Sequence, residues 1–373
     1  MSYKNQLFQL KKPYDTSSSD TLFFQAMKEN CEYQYANCSD YRRILQQMDF
    51  HPDDLKKYED LARLPFLPTL YFKRHQLFSM SGSRMLIKAT SSGTSGSKSH
   101  NGFNFSSLYR GLRMVITVGK YHHLWSWKPA HYLIFGYEPN RQNQTAISKT
   151  AYGFTWFAPA ISRDYALKYT NNGYQLDLEH IKNKFIAYSK SSFPVRTIGF
   201  PAYTYFLLKQ MKEEGLKVQL PKGSLLTLGG GWKQFYAEKV SKEDFYTLAE
   251  EVLGIDDSHI VEFFGAVEHP ILYTDCREHH FHVPVYSRVI IRDVDTLEPV
   301  PNGTIGLVNL LTPMTDSLPL LSILTDDLGI LHEEPCACGE KAPWLEILGR
   351  VGIKDIVTCA AGAESHLKGG EEK

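Results

Sequence analysis

The 373-residue sequence carries no net charge, because 41 lysines and arginines balance 41 aspartates and glutamates. No global field draws in a polyanion, so nucleic acid is set aside as a partner. Nowhere do about 18 apolar residues follow one another, the length a membrane-spanning helix needs. The start, MSYKNQLFQLKKPYD, lacks the apolar segment of a secretory signal. These absences predict a cytoplasmic protein without a membrane span. Cysteine is sparse as well: six residues, unevenly spaced, are too few for a disulfide scaffold in so long a chain. They are left as core residues, metal ligands or reactive thiols.

A 43% hydrophobic, 22% charged composition is that of a soluble globular enzyme. Its length suggests two or three packed units at roughly 150 residues per domain. From Asp20 to Gln76 the pattern is mostly helical, as in YRRILQQM and PDDLKKYEDLARLP. Further on, HYLIFGYEP, VRTIGFPAYT and SLLTLGGGW are apolar runs stopped by glycine or proline. Helical stretches such as LDLEHIKNKFIAYSK and AYTYFLLKQMKEEG separate them. Buried strands alternating with helices predict an α/β fold with a largely parallel sheet. After Pro270 the texture changes to period-two alternation with a turn at Pro301, Asn302 and Gly303, which predicts a mainly antiparallel β section.

The segment SGSRMLIKATSSGTSGSKS, followed by SSLYRGLRMVITVGKYHHLW, reads as strand, loop and helix. Backbone amides of a glycine-rich turn feeding a helix, with hydroxyls and a lysine beside them, make a cradle for phosphate oxygens. A flexible serine-rich surface loop is the plainer alternative. The spacing is not that of a Walker loop, since only Thr94 and Ser95 separate Gly93 from Gly96.

The order SSGTSG resembles the phosphate loop of the adenylate-forming superfamily, whose members join a carboxylate to AMP and release pyrophosphate. The resemblance assigns phosphate binding to Ser92, Gly93, Thr94, Ser95 and Gly96. The superfamily's Pro-Lys is replaced by Ser97, Lys98 and Ser99, so Lys98 stands one place early. Four further stretches resemble the superfamily in the right order. LGGGWK supplies Gly229, Gly230 and Gly231 along the adenine. EFFGAVEHP supplies Phe264 and Gly265 at the adenine and Glu268 as holder of magnesium. LTDDLG supplies Asp327 for the ribose hydroxyls, and LGRVGIKD supplies Arg350, which reaches the nucleotide. Residues Tyr41 to Arg74 resemble the helical lead-in of the phenylacetate-CoA ligase branch.

The resemblance implies an α/β adenylate-forming large N-terminal domain with parallel sheets and an antiparallel β section. Set against the superfamily's outline, the mobile C-terminal domain is expected to be largely absent. The expected division is a helical lead-in over 1–80, an adenylation core over 81–348, and a hinge with a short C-terminal tail over 349–373. The branch with this outline is the LuxE-type acyl-protein synthetase, which activates a fatty acid with ATP and passes the acyl group through one of its own cysteines to a partner reductase. Cys359, in TCAAGAESH, is the candidate acceptor, with Lys354 or His366 lowering its pKa; an incidental terminal cysteine is the other reading. An aryl- or acyl-CoA ligase-like enzyme, or a non-catalytic nucleotide-binding subunit, fits the same motifs.

Cys276 and His282 are separated by five residues, and Cys336 and Cys338 flank one alanine in EPCACGEK. If CREHHFH is a strand, Cys276, His280 and His282 share a face. With the Cys-x-Cys turn they would close a structural zinc site, with His280 as an alternative to His282. Cysteines and a histidine packed as core are the plainer reading. Cys31 and Cys38 are expected in the core. Tyr137, Phe154 and Trp156 are candidates for an apolar acid-binding channel, or equally for core.

Overall fold

The computed structural model describes residues 1–90, 100–140, 146–170, 173–232, 235 and 238–350. The chain divides into two compact units. Among the described residues the first unit comprises 1–90, 100–122 and 265–350, and the second those between 123 and 264.

The second unit is built on the apolar runs. Its sheet order is Ile260–Ala266, Leu226–Gly229, Val195–Gly199, Ala130–Tyr137, Ala160–Thr170, Gly173–Leu176. All neighbours are parallel except the last pair, a short antiparallel edge. Ala130–Tyr137 is buried along almost its whole length, as expected of a strand covered on both faces. Helix Leu178–Ser189 starts at Asp177, whose carboxylate accepts from the His180 amide at 2.8 Å. Helix Pro201–Glu213 begins with proline at its first turn, and Lys242–Leu253 ends at left-handed Gly254. These three helices bury Phe185, Leu207 and Val252 with Leu133 and Phe135 of the sheet in one apolar core.

The chain runs from Ala130–Tyr137 to Ala160–Thr170 on one side, then returns to Val195–Gly199 on the other. The carboxyl ends of Ala130–Tyr137 and Val195–Gly199 therefore flank the switch point where open α/β sheets bind ligands. Gly199 sits there at φ 151°, and a Cβ at this position would collide with the Phe135 carbonyl.

The first unit joins the amino-terminal helices, with Thr16–Asn37 the longest, to an antiparallel sheet ordered Phe281–His282, Trp344–Arg350, Ser322–His332, Gly306–Leu311, Arg288–Arg292. Leu67–Pro68 adds in parallel to Ser322–His332. Cys31 and Cys38 lie in its core as free thiols. A buried ion network ties the amino terminus to this sheet unit: Asp316 accepts from Lys4 Nζ at 2.7 Å and Arg110 Nη2 at 2.6 Å. Burial pushes the Asp316 carboxyl up, but Arg110 and Lys4 outweigh it and hold the group below the usual carboxylate range.

Candidate functional site

Residues 91–99, with Ser92, Gly93, Thr94, Ser95, Gly96 and Lys98, lie outside the described residues. The backbone on either side corrects the strand–loop–helix expectation. Ile87–Thr90 and His100–Phe103 form an antiparallel hairpin, with Thr90 opposite His100. The following helix, Phe105–Tyr121, begins only after that second strand, capped by Asn104 Oδ1 accepting from the Ser107 amide at 3.0 Å. The segment 91–99 is thus followed by a strand, and the helix comes only after it. HNGF shows neither alternation nor a continuous apolar run, so the second strand had no pattern to announce it.

In the first unit, Asp327 lies on Ser322–His332 and Arg350 ends Trp344–Arg350, directly opposite in register. Arg350 Nε donates to Asp327 Oδ1 at 2.8 Å. Burial alone would lower the Arg350 pKa; Asp327, with Asp326 and Glu268 also contributing, more than reverses this and raises it. Glu268, in the turn after Ile260–Ala266, is only 5% exposed. Three carboxylates and one guanidinium thus share a single electrostatic neighbourhood, suited to a polar ligand that brings both anionic groups and hydroxyls. Asp326 was not singled out from the sequence, although the Asp-Asp pair in LTDDLG carries it. Its carboxylate also accepts from Thr69 Oγ1 at 3.3 Å.

In the second unit, Gly229 closes strand Leu226–Gly229, and Gly230 and Gly231 follow with φ of 87° and 68°, the left-handed conformations that favour glycine. Trp232 turns into the core beside Tyr205 and Phe245. Phe264 is half-buried near the carboxyl end of Ile260–Ala266. The same strand carries Gly265, which the division of the chain assigns to the first unit. The glycine loop and Phe264 therefore both stand at the carboxyl ends of the parallel strands, where the fold admits ligands.

A narrow cavity lies against the same sheet, lined by Leu124, Tyr132, Phe154, Phe157, Arg196 and Phe263 among others. Of the three channel candidates only Phe154 lines it. Trp156 is 66% exposed and Tyr137 packs edge-on against Tyr174. The cavity contains a cation that sequence reasoning passed over. Arg196 is 8% exposed and donates to the Leu124 carbonyl at 2.6 Å; burial lowers its pKa, partly offset by the Tyr132 hydroxyl. A lone arginine in the apolar strand VRTIG was the available signal.

The cysteine and histidine ligand atoms of Cys276, His282, Cys336 and Cys338 lie within 4.8 Å of one another. Cys276 Sγ is 3.8 Å from Cys336 Sγ, and Cys338 Sγ is 3.3 Å from His282 Nε2. His282 Nδ1 is 3.0 Å from the Ala342 carbonyl and donates to it, which turns the Nε2 lone pair toward the thiols. Burial, with Cys338 and Cys336 adding to it, pushes the Cys276 thiol up to about 12, an effect a divalent ion would reverse. Three sulfurs and one imidazole are a donor set that fits tetrahedral zinc. His280 reaches Cys336 Sγ at 3.2 Å while its ring stacks on Trp344. The expected strand over Cys276–His282 is corrected to a turn followed by the short strand Phe281–His282; the His279 amide donates to the Cys276 carbonyl at 2.8 Å, with His279 at φ 57°.

Cys359, with Lys354 and His366, lies outside the described residues. No helix among the described residues is long and apolar enough to cross a membrane.

The family model described as "Acyl-protein synthetase, LuxE" matches residues 6–367. The chain belongs to the LuxE family of acyl-protein synthetases. It is 27% identical over 343 residues to the long-chain-fatty-acid–luciferin-component ligase of Vibrio harveyi, covering 91% of this chain and 86% of that one. Identity to the ligase of the same name from Aliivibrio fischeri is 26% over 310 residues, covering 82% and 78%. Among solved structures, 2-hydroxyisobutyryl-CoA ligase in the postadenylation state superposes with a TM-score of 0.68 at 16% identity, covering 91% of this chain and 69% of that chain. The fold is therefore that of the adenylate-forming ligases. Family membership makes this LuxE-family chain an acyl ligase of the adenylate-forming class.

Proposed function

We propose that this enzyme activates a long-chain fatty acid with ATP as acyl-AMP and then passes the acyl group to a protein thiol, its own Cys359 or that of a partner reductase. The observation that carries the reading is the family match over 6–367, supported by two relatives named for long-chain fatty acids. In the first step a carboxylate oxygen attacks the α-phosphorus and pyrophosphate leaves with the bonding electrons. The nucleophile is already ionised at neutral pH, so no general base is required. In the second step a thiolate attacks the acyl carbonyl and AMP leaves, preserving the activation as a thioester.

Asp327 accepts from the ribose hydroxyls and Arg350 turns from Asp327 to the nucleotide. Phe264 and Gly265, with the loop Gly229, Gly230 and Gly231, hold the adenine. Ser92 to Gly96 and Lys98 bind phosphate oxygens. Glu268 would hold magnesium, which offsets charge developing on the phosphates. Zinc at Cys276, His282, Cys336 and Cys338 would be structural, since four protein ligands leave no open position.

Pyrophosphate exchange that requires a long-chain acid, and its loss in Glu268→Ala, tests the first step. Incubation with labelled acid and ATP tests the second: label held through denaturation in the native enzyme and lost in Cys359→Ser is expected. Release of acyl-AMP alone, or formation of acyl-CoA when CoA is added, would replace the self-acylating reading.

A further inference from the structure

The amino edge of the second unit's parallel sheet is reached by three segments, 122–131, 152–163 and 186–196, none of which contains an acidic residue. This is a local departure in a chain whose charges otherwise balance. Parallel pairing places Ala130 beside Ala160 and His131 beside Val195, so the three lead-ins emerge together. Backbone bonds stitch them: the Ser126 amide donates to the Phe157 carbonyl, Ala130 to Pro159 and His131 to Pro194, each at 2.9 Å.

On this edge large apolar side chains face outward. Trp127 is 96% exposed and Trp156 66%, with Trp125, Tyr152, Ile161 and Phe193 exposed around them. Three of the chain's five tryptophans are gathered here. Lys128, Arg163 and Lys190 are exposed beside them. Asp164, which follows Arg163 in the chain, is half-buried and already held by Lys184 at 3.2 Å and His180 at 3.0 Å.

Clustered exposed aromatics mark an interaction surface. Tryptophan seats its apolar body and polar N–H at the headgroup level of a bilayer, and flanking lysine and arginine are attracted to anionic lipid. Among the described residues, these segments present aromatic and cationic side chains and no acidic one, which complements an anionic, partly apolar partner. We propose that this edge docks the enzyme reversibly on an anionic phospholipid surface. The purpose rests on the fatty-acid reading, because long-chain acids partition into bilayers. The carboxyl ends of the strands lie at the opposite edge of the sheet.

The test is sedimentation of the full chain with phosphatidylcholine vesicles containing about a third phosphatidylglycerol, against pure phosphatidylcholine. Binding only to the anionic vesicles is expected, with a blue shift of tryptophan emission. The double substitution Trp127→Ser with Trp156→Ser, and separately Lys128→Glu with Lys190→Glu, should each weaken vesicle affinity by about tenfold or more. No sedimentation of the native chain, or equal sedimentation of the substituted chains, overturns the proposal. Tighter binding to polyglutamate than to the vesicles overturns it in favour of an acidic protein. Pyrophosphate exchange is measured in parallel without vesicles; its absence with vesicle binding intact would sink the fatty-acid reading and leave the lipid surface standing.

Discussion

Arg350 and Asp327 face each other across two adjacent antiparallel strands and pair at 2.8 Å. The carboxylate assigned to the ribose is therefore held by the arginine assigned to the nucleotide, and a ribose must share or displace that bond. Hydrogen bonds to a charged group are worth about 1.5–3 kcal/mol. Asp327→Ala should weaken ATP binding by about tenfold or more, with circular dichroism unchanged. Titration of each chain with ATP decides this, and an unaltered affinity would remove Asp327 from the nucleotide site.

Metal removal should act on stability before it acts on chemistry. The Phe281–His282 strand pairs with Trp344–Arg350, so the thiol cluster stands at one end of the strand whose other end carries Arg350. Purified enzyme should carry one zinc per chain by atomic emission. A strong chelator, or Cys336→Ser, should lower the melting temperature by several degrees, as expected when a group stabilising the folded state by a few kcal/mol is lost. Metal content near zero in correctly folded enzyme would return the cluster to packed thiols.

The Lys4, Asp316 and Arg110 network gives a pH dependence with a definite sign. Arg110 and Lys4 hold the Asp316 pKa below its unfolded value against the upward push of burial. Its contribution is therefore fully present above about pH 4, near the unfolded aspartate pKa, and is lost as pH falls through the folded value. Asp316→Asn leaves two buried cations without their partner and should cost about 3–5 kcal/mol at neutral pH. The gap between native and substituted chains in urea unfolding should narrow progressively below about pH 4. A gap independent of pH would show that the carboxylate's charge is not what stabilises the unit.

What could be read from the sequence followed from how locally each feature is encoded. HYLIFGYEP and SLLTLGGGW announce buried strands because they are covered on both faces, and strands Ala130–Tyr137 and Leu226–Gly229 are their product. The Cys-x5-His and Cys-x-Cys spacings are short, and they meet because the turn at His279 and the pairing of His282 with Trp344 bring them together. The strand over HNGF was missed because its pairing partner lies across a loop, and pairing rather than pattern makes it a strand. Arg196 and Asp326 were missed for a different reason. Burial around a single charge, and electrostatic reach between distant motifs, exist only once the chain is folded.

Gly199 is an exacting backbone position in the second unit. Its φ of 151° is disfavoured for side-chain-bearing residues, and a Cβ would meet the carbonyl of Phe135 on the neighbouring strand. The Phe200 amide donates to that same carbonyl at 3.3 Å, so relieving the clash by moving the strand apart breaks the bond that closes the switch point. Gly199→Ala should destabilise the chain by about 1–3 kcal/mol and, because the shift is felt at the carboxyl ends of Ala130–Tyr137 and Val195–Gly199, raise the KM for the acid more than it lowers kcat. A substituted chain that melts at the native temperature with native kinetics would mean that the turn at Gly199 tolerates a side chain and does not shape the site.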